Sequence, residues 1–216
     1  MAEPTAPRFY DRARVAGYTD GVFAIAATLL VLDLTTTAIG EPTGDAELWA
    51  ALGAMWPSFL SFCVSFVLLS GLWVIHLGQF RSIARVDLPL LWLNSIRLLF
   101  VVLIPFTTSL VSQYSDFYAG RMLLPINFFF AALLGFASWA WAAARSGHLL
   151  ADDARANARA ENAGGLAAVL CGFVAMIISP WVGSWAFVAY ALNGPLTVLL
   201  KRRGAARVAR APSAPR

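Results

Sequence analysis

Asp20, Asp33, His76, Asn94 and Arg97 stand inside, or at the ends of, long apolar stretches of this chain. Carboxylate, imidazole, carboxamide and guanidinium groups in such places do one of two kinds of work. They pass protons or ions, or they close a hydrogen-bonded cluster that fixes how helices pack. An isolated charge within a bilayer costs about 2.5–3.5 kcal/mol on the insertion scale, so Asp20 needs a partner. Arg14, His76, Asn94 and Arg97 are the candidates, because all fall toward the same half of the membrane. His76 titrating between about pH 5 and 8 is a possible pH input, although a lone histidine serves as readily in packing. Enzyme chemistry finds no footing: there is no His-Glu-x-x-His, no nucleophile elbow and no phosphate loop. His76 and His148 cannot build a metal site between them, Cys63 and Cys171 lie in apolar segments as small hydrophobes, and nothing calls for a cofactor.

The elements that must position these groups are membrane helices. The chain is 59% hydrophobic and 13% charged, against about 25% charged in soluble domains. Several apolar stretches reach the roughly 20 residues that a bilayer core requires. The organising stretch is RVAGYTDGVFAIAATLLVLD, Arg14 to Asp33, apolar from Gly21 to Leu32 except at Thr28. At 100° per residue Ile25, Leu29, Leu32 and Thr36 share one face, and Asp20 lies more than 90° from it, toward the bundle. Such a stripe packs on neighbouring helices, faces lipid, or lines a passage. It is too long for a signal peptide's apolar region and is expected to be retained.

The expected fold is all-α and polytopic, with spans near residues 15–38, 52–79, 88–113, 122–144, 160–180 and 183–201 in one membrane domain over 1–204. The final apolar stretch, 166–200, is too long for one crossing, and Pro180, Gly183 and Ser184 permit a reversal within it. The loop GEPTGDAE carries Glu41, Asp45 and Glu47 without Lys or Arg, residues 145–165 form a polar loop, and 205–216 form a basic, disordered tail. Lys and Arg concentrate on the N-terminus, the turn after span two, the loop after span four and the tail. The positive-inside rule therefore places both termini in the cytoplasm, and it accounts for the net charge of +4 without a nucleic-acid partner. No internal duplication is evident, so symmetry is expected to come from oligomerisation.

The motif Arg14-x-x-x-Tyr18-Thr19-Asp20-Gly21-Val22-Phe23-Ala24-Ile25 resembles the transmembrane protein 175 family, whose first helix carries Arg-x-x-x-Phe-Ser-Asp-Gly-Val-Phe-Ala-Ile. Tyr18 and Thr19 replace Phe and Ser. Thr28-Leu29-Leu30-Val31-Leu32-Asp33, Trp73-x-x-His76, and Asn94 followed by Leu-Leu-Phe-Val and Pro105-Phe106-Thr107 extend the match over spans one to three. The resemblance implies a potassium-permeable channel in a bacterial plasma membrane. It would be a tetramer around span one, without the Thr-Val-Gly-Tyr-Gly filter, which this sequence lacks. By position, Ile25, Leu29 and Leu32 would form stacked apolar rings at the constriction. Thr28 and Thr36 would place hydroxyls beside the ion path. Arg14, Tyr18, Thr19, Asp20, Trp73, His76 and Asn94 would form an intrasubunit polar network, and Asp33 would draw cations to the entrance. Arg97 is outside the family pattern. A competing expectation is a proton channel or proton-coupled transporter using Asp20 and His76, and a weaker one is a non-conducting membrane scaffold.

Overall fold

A computed structural model describes residues 9–35, 39–155 and 158–200. Thr36 and the tail over 205–216 lie outside the described residues. Helix α1, Arg12–Leu29, begins where Asp11 accepts the Ala13 N–H at 2.8 Å, an N-cap that satisfies a donor the helix cannot. It tightens into a 3-10 turn, Leu30–Asp33. Then follow α2 (Asp45–Ala54), α3 (Trp56–Ser82) and α4 (Leu88–Val102), the last capped by the Asp87 carboxylate on the Leu90 N–H at 3.0 Å. Next come α5 (Ile104–Gln113), α6 (Tyr118–Gly147), α7 (Asp152–Arg155) and α8 (Ala158–Val182). A 3-10 stretch, Gly183–Leu192, leads into helical residues 193–200.

Among the described residues the fold is nearly all helical, and five segments there are long and apolar enough to cross a bilayer: Arg12–Asp33, Trp56–Ser82, Leu88–Gln113, Tyr118–Ala144 and Ala163–Val182. The last apolar segment, Trp185–Leu200, is shorter. The chain reverses before it at Gly183, whose φ of 58° suits a residue without Cβ.

Three details depart from the sequence reading. The acidic loop is helical from Asp45, because Asp45 and Glu47 sit in the first turn of α2, where carboxylates meet the free N–H groups. Span three is broken at Leu103, ahead of Pro105, which has no N–H to give and which opens α5. The polar loop over 145–165 is largely helical: α6 runs on to Gly147, and the Ala-rich segment from Ala158 already belongs to α8.

Packing places α6 at the centre, against α4, α5 and α8, and the terminal segment lies on α8. Helix α1 rests on α3 and α4, burying Phe23, Ala26 and Leu30 beside Leu69, Leu72, Leu98 and Val101. At one end of the bundle the connecting segments are tied together. Tyr10 N–H donates to Val86 O at 2.7 Å, Ala84 N–H to Leu149 O at 2.8 Å and Ala151 N–H to Ser82 O at 3.0 Å. The Arg12 guanidinium donates to Ile83 O at 3.1 Å at the same place.

Candidate functional site

Spacing along α1 sorts its side chains onto two faces. Val15, Thr19, Phe23, Ala26 and Leu30 recur at four, four, three and four residues and are buried against the bundle. Opposite them Ile25 is 61% exposed, Leu29 38% and Leu32 62%. Gly21, Ala24 and Thr28 are exposed with them. The Thr28 hydroxyl donates back to Ile25 O at 2.8 Å, which leaves its oxygen lone pairs open on that face.

Behind this stripe the polar residues meet in three pieces. The Asn94 carboxamide of α4 donates to Thr19 Oγ1 at 2.8 Å, and Thr19 donates to Val15 O at 2.9 Å, so a buried carboxamide on α4 is fastened to α1. The Trp73 indole of α3 donates to Asp20 Oδ1 at 2.9 Å, providing the half-buried carboxylate with a partner. The third piece centres on Arg97, 1% exposed. Its guanidinium donates to His76 Nδ1 at 3.1 Å and to Leu72 O at 3.0 Å. Guanidinium nitrogens have no lone pair to offer, so His76 Nδ1 is the acceptor and the ring proton sits on Nε2. The Phe23 ring lies 5.6 Å from the Arg97 carbon and stacks on His76 at 6.0 Å and 27°. Phe80 backs the imidazole at 4.2 Å.

Arg14 and Tyr18 stand apart from this cluster. Both are exposed, and no hydrogen bond or ion pair among the described residues reaches either. Eleven and seven residues before Ile25, they fall within about 20° of it on the helix surface, so they belong to the outer stripe and not to an intrasubunit network. At the far end of α1, Asp33 is held to α5: Ser109 donates to Oδ1 at 2.7 Å and Gln113 reaches the same oxygen at 3.5 Å. The sequence reading missed the Leu72 carbonyl, Phe23 and Gly135 as parts of the site. A Cβ at Gly135 would sit 3.0 Å from the Arg97 guanidinium carbon, so α6 makes room there for the charge. The three-residue interval from Asn94 to Arg97, which puts both on one face of α4, was the available signal.

Residues 14–105 match the family model described as the endosomal/lysosomal potassium channel TMEM175. A potassium channel of Streptomyces collinus is 37% identical over 156 residues, covering 71% of this chain and 73% of that relative. The chain belongs to the TMEM175 family. A solved family structure, a lysosomal potassium-selective channel TMEM175 homolog from Chamaesiphon minutus, superposes with a TM-score of 0.62 at 26% identity, covering 88% of this chain and 97% of that one. The endosomal/lysosomal proton channel TMEM175 of Bos taurus is 32% identical over 158 residues, 69% of this chain but 33% of its own length. This family member thus spans about a third of that relative, and the relatives are named as channels, not enzymes.

Proposed function

We propose that this chain is the subunit of a potassium-permeable cation channel in the plasma membrane of a bacterium, assembled as a homotetramer with α1 around the pore. The observation that carries the reading is the division of α1 into two faces. One face is fastened to α3 and α4 through Thr19, Asp20 and Phe23, while Ile25, Leu29 and Leu32 project away from the subunit's own core. Four such stripes around an axis make stacked apolar rings, which exclude water when narrow and pass partly dehydrated ions when they widen. Thr28 supplies a hydroxyl beside that path, and Asp33 favours cations at its mouth. Selection follows dehydration cost and so favours potassium over sodium.

Both termini are assigned to the cytoplasm, with six crossings in the domain over 1–204: the five long segments and the shorter Trp185–Leu200. The stitched end of the bundle supports this orientation, because it gathers Arg12, Arg81 and Arg85 beside the connections to α1, α4 and α7.

Potassium flux into proteoliposomes tests the function. Flux is expected, and it should rise with Leu29→Ala and change with Ile25→Asn; a properly assembled protein passing no potassium under any gradient would sink the reading. A second reading, proton conduction through Asp20 and His76, draws support from the vertebrate relatives named as proton channels. The geometry favours it less, since the one nitrogen of His76 free to take a proton already receives a guanidinium hydrogen bond. Asp20→Asn separates the two: potassium flux survives it in the first, whereas proton flux vanishes in the second.

A further inference from the structure

Arg97 is a buried cation for which the described ion pairs provide no acid: those pairs join His148 to Asp87 and Arg155 to Asp152. Its charge rests on neutral partners, the Leu72 carbonyl, the His76 lone pair and the face of Phe23, and its Nε has no hydrogen-bond partner. A structural clamp does not need a charge there, since a neutral side chain would fill the space without the desolvation that a guanidinium suffers. What a charge adds is a field. The guanidinium carbon lies 5.6 Å from the Phe23 ring, and Phe23 is two residues before Ile25 on the opposite face of α1. One helix diameter of about 10 Å then separates it from the exposed stripe, or about 15 Å in all.

We propose that Arg97 sets the height of the cation barrier at the apolar constriction: a fixed positive charge behind each copy of α1 that opposes cation entry while the passage is dry. This rests on the assignment of α1 as the pore helix. At an effective dielectric of about 20, one unit charge at about 15 Å slows passage of a monovalent cation roughly sixfold. Four copies, partly screened by water in the pore vestibules, act together to hold flux down by at least about tenfold. Arg97 is a tuning residue that never touches the ion.

Gln79 offers a way to change the charge without removing Arg97. Its amide donates to Gly135 O at 3.4 Å, on the same glycine that the guanidinium covers. Gln79→Glu therefore puts a carboxylate of nearly the same shape, in place of the amide donor, against the glycine that Arg97 covers. The experiment measures potassium flux in proteoliposomes for the native protein, Arg97→Met, Arg97→Lys, Gln79→Glu and Leu29→Ala, with assembly checked by native mass. Arg97→Met and Gln79→Glu are expected to raise flux about tenfold or more, and Arg97→Lys, which restores the charge, to bring it back to the native range. If Arg97→Met fails to assemble, Gln79→Glu decides alone. Flux that falls or stays unchanged in Gln79→Glu, or that is as high in Arg97→Lys as in Arg97→Met, overturns the proposal. A different result, flux indifferent to Leu29→Ala, removes the pore assignment itself, whereas a response to Leu29→Ala with none to the charge variants overturns the role of Arg97 alone.

Discussion

At the scale of the residue, the two faces of α1 should respond differently to substitution. Thr19→Val keeps the shape but leaves the buried Asn94 N–H without its acceptor. The cost of such an orphaned donor is about 1–3 kcal/mol. Tyr18→Leu, on the exposed face one residue away, should stay within about 0.5 kcal/mol, as surface changes do. Denaturant unfolding in detergent checks the pair, and equal losses would mean that Tyr18 is fastened as Thr19 is. The same two residues show how far the sequence could be read. Helical periodicity alone places Arg14, Tyr18 and Ile25 on one face, and the structure exposes all three. The motif resemblance, by treating the whole string as one network, put Arg14 and Tyr18 inside. Arg97 was visible as a charge in an apolar run, but its partners were not. A backbone carbonyl, a phenyl face and a glycine on another helix leave no mark that pairs with arginine in a linear text.

At the scale of the element, the break between α4 and α5 depends on a side chain from elsewhere. Pro105 and the turn at Leu103 interrupt the helical ladder, and the Asn127 carboxamide of α6 donates to Phe100 O at 2.9 Å beside that break. Asn127→Leu should destabilise by about 1–3 kcal/mol, because it leaves Phe100 O without that donor away from water. A calorimetric midpoint equal to the native protein's would show that the carbonyl finds another donor. Helix α2 carries the acid-sensitive cap. Glu47 Oε2 accepts from both the N–H and the hydroxyl of Thr43 at 2.8 Å, and these bonds hold its carboxyl below the ordinary value of 4.5. A lowered folded value means that the cap's contribution is complete above about pH 4.5 and is lost as pH falls through the lowered value. Protection of the Thr43 amide, taken against its intrinsic exchange rate at each pH, should therefore be present at neutral pH, lost in strong acid, and absent at every pH in Glu47→Ala. The long apolar segments were legible because apolar run length is a local signal. The start of α2 and the kink at Leu103 were not, since each depends on capping or rescue that competes with a loop or a straight helix by a small margin.

At the scale of the whole molecule, the subunit's stability and its activity should come apart on the outer face of α1. Gly21 is exposed, and a side chain built there meets no atom of its own chain within 4 Å. Gly21→Phe should thus leave the isolated subunit intact, and phenylalanine even favours the helical state over glycine by roughly 0.5 kcal/mol. In the proposed tetramer, four phenyl rings one turn before Ile25 would nevertheless crowd a shared axis, so potassium flux is expected to fall below detection, or native mass to show that assembly lost. The subunit's helicity and unfolding midpoint should stay at or above native values in the same preparation. Full flux with an unaltered assembly would place this face against lipid, where a large apolar residue is harmless, and would end the pore assignment while leaving the fold untouched. Under the proposed assembly the outcome depends on the copies that surround the stripe, so no measurement of a single subunit's stability can substitute for it.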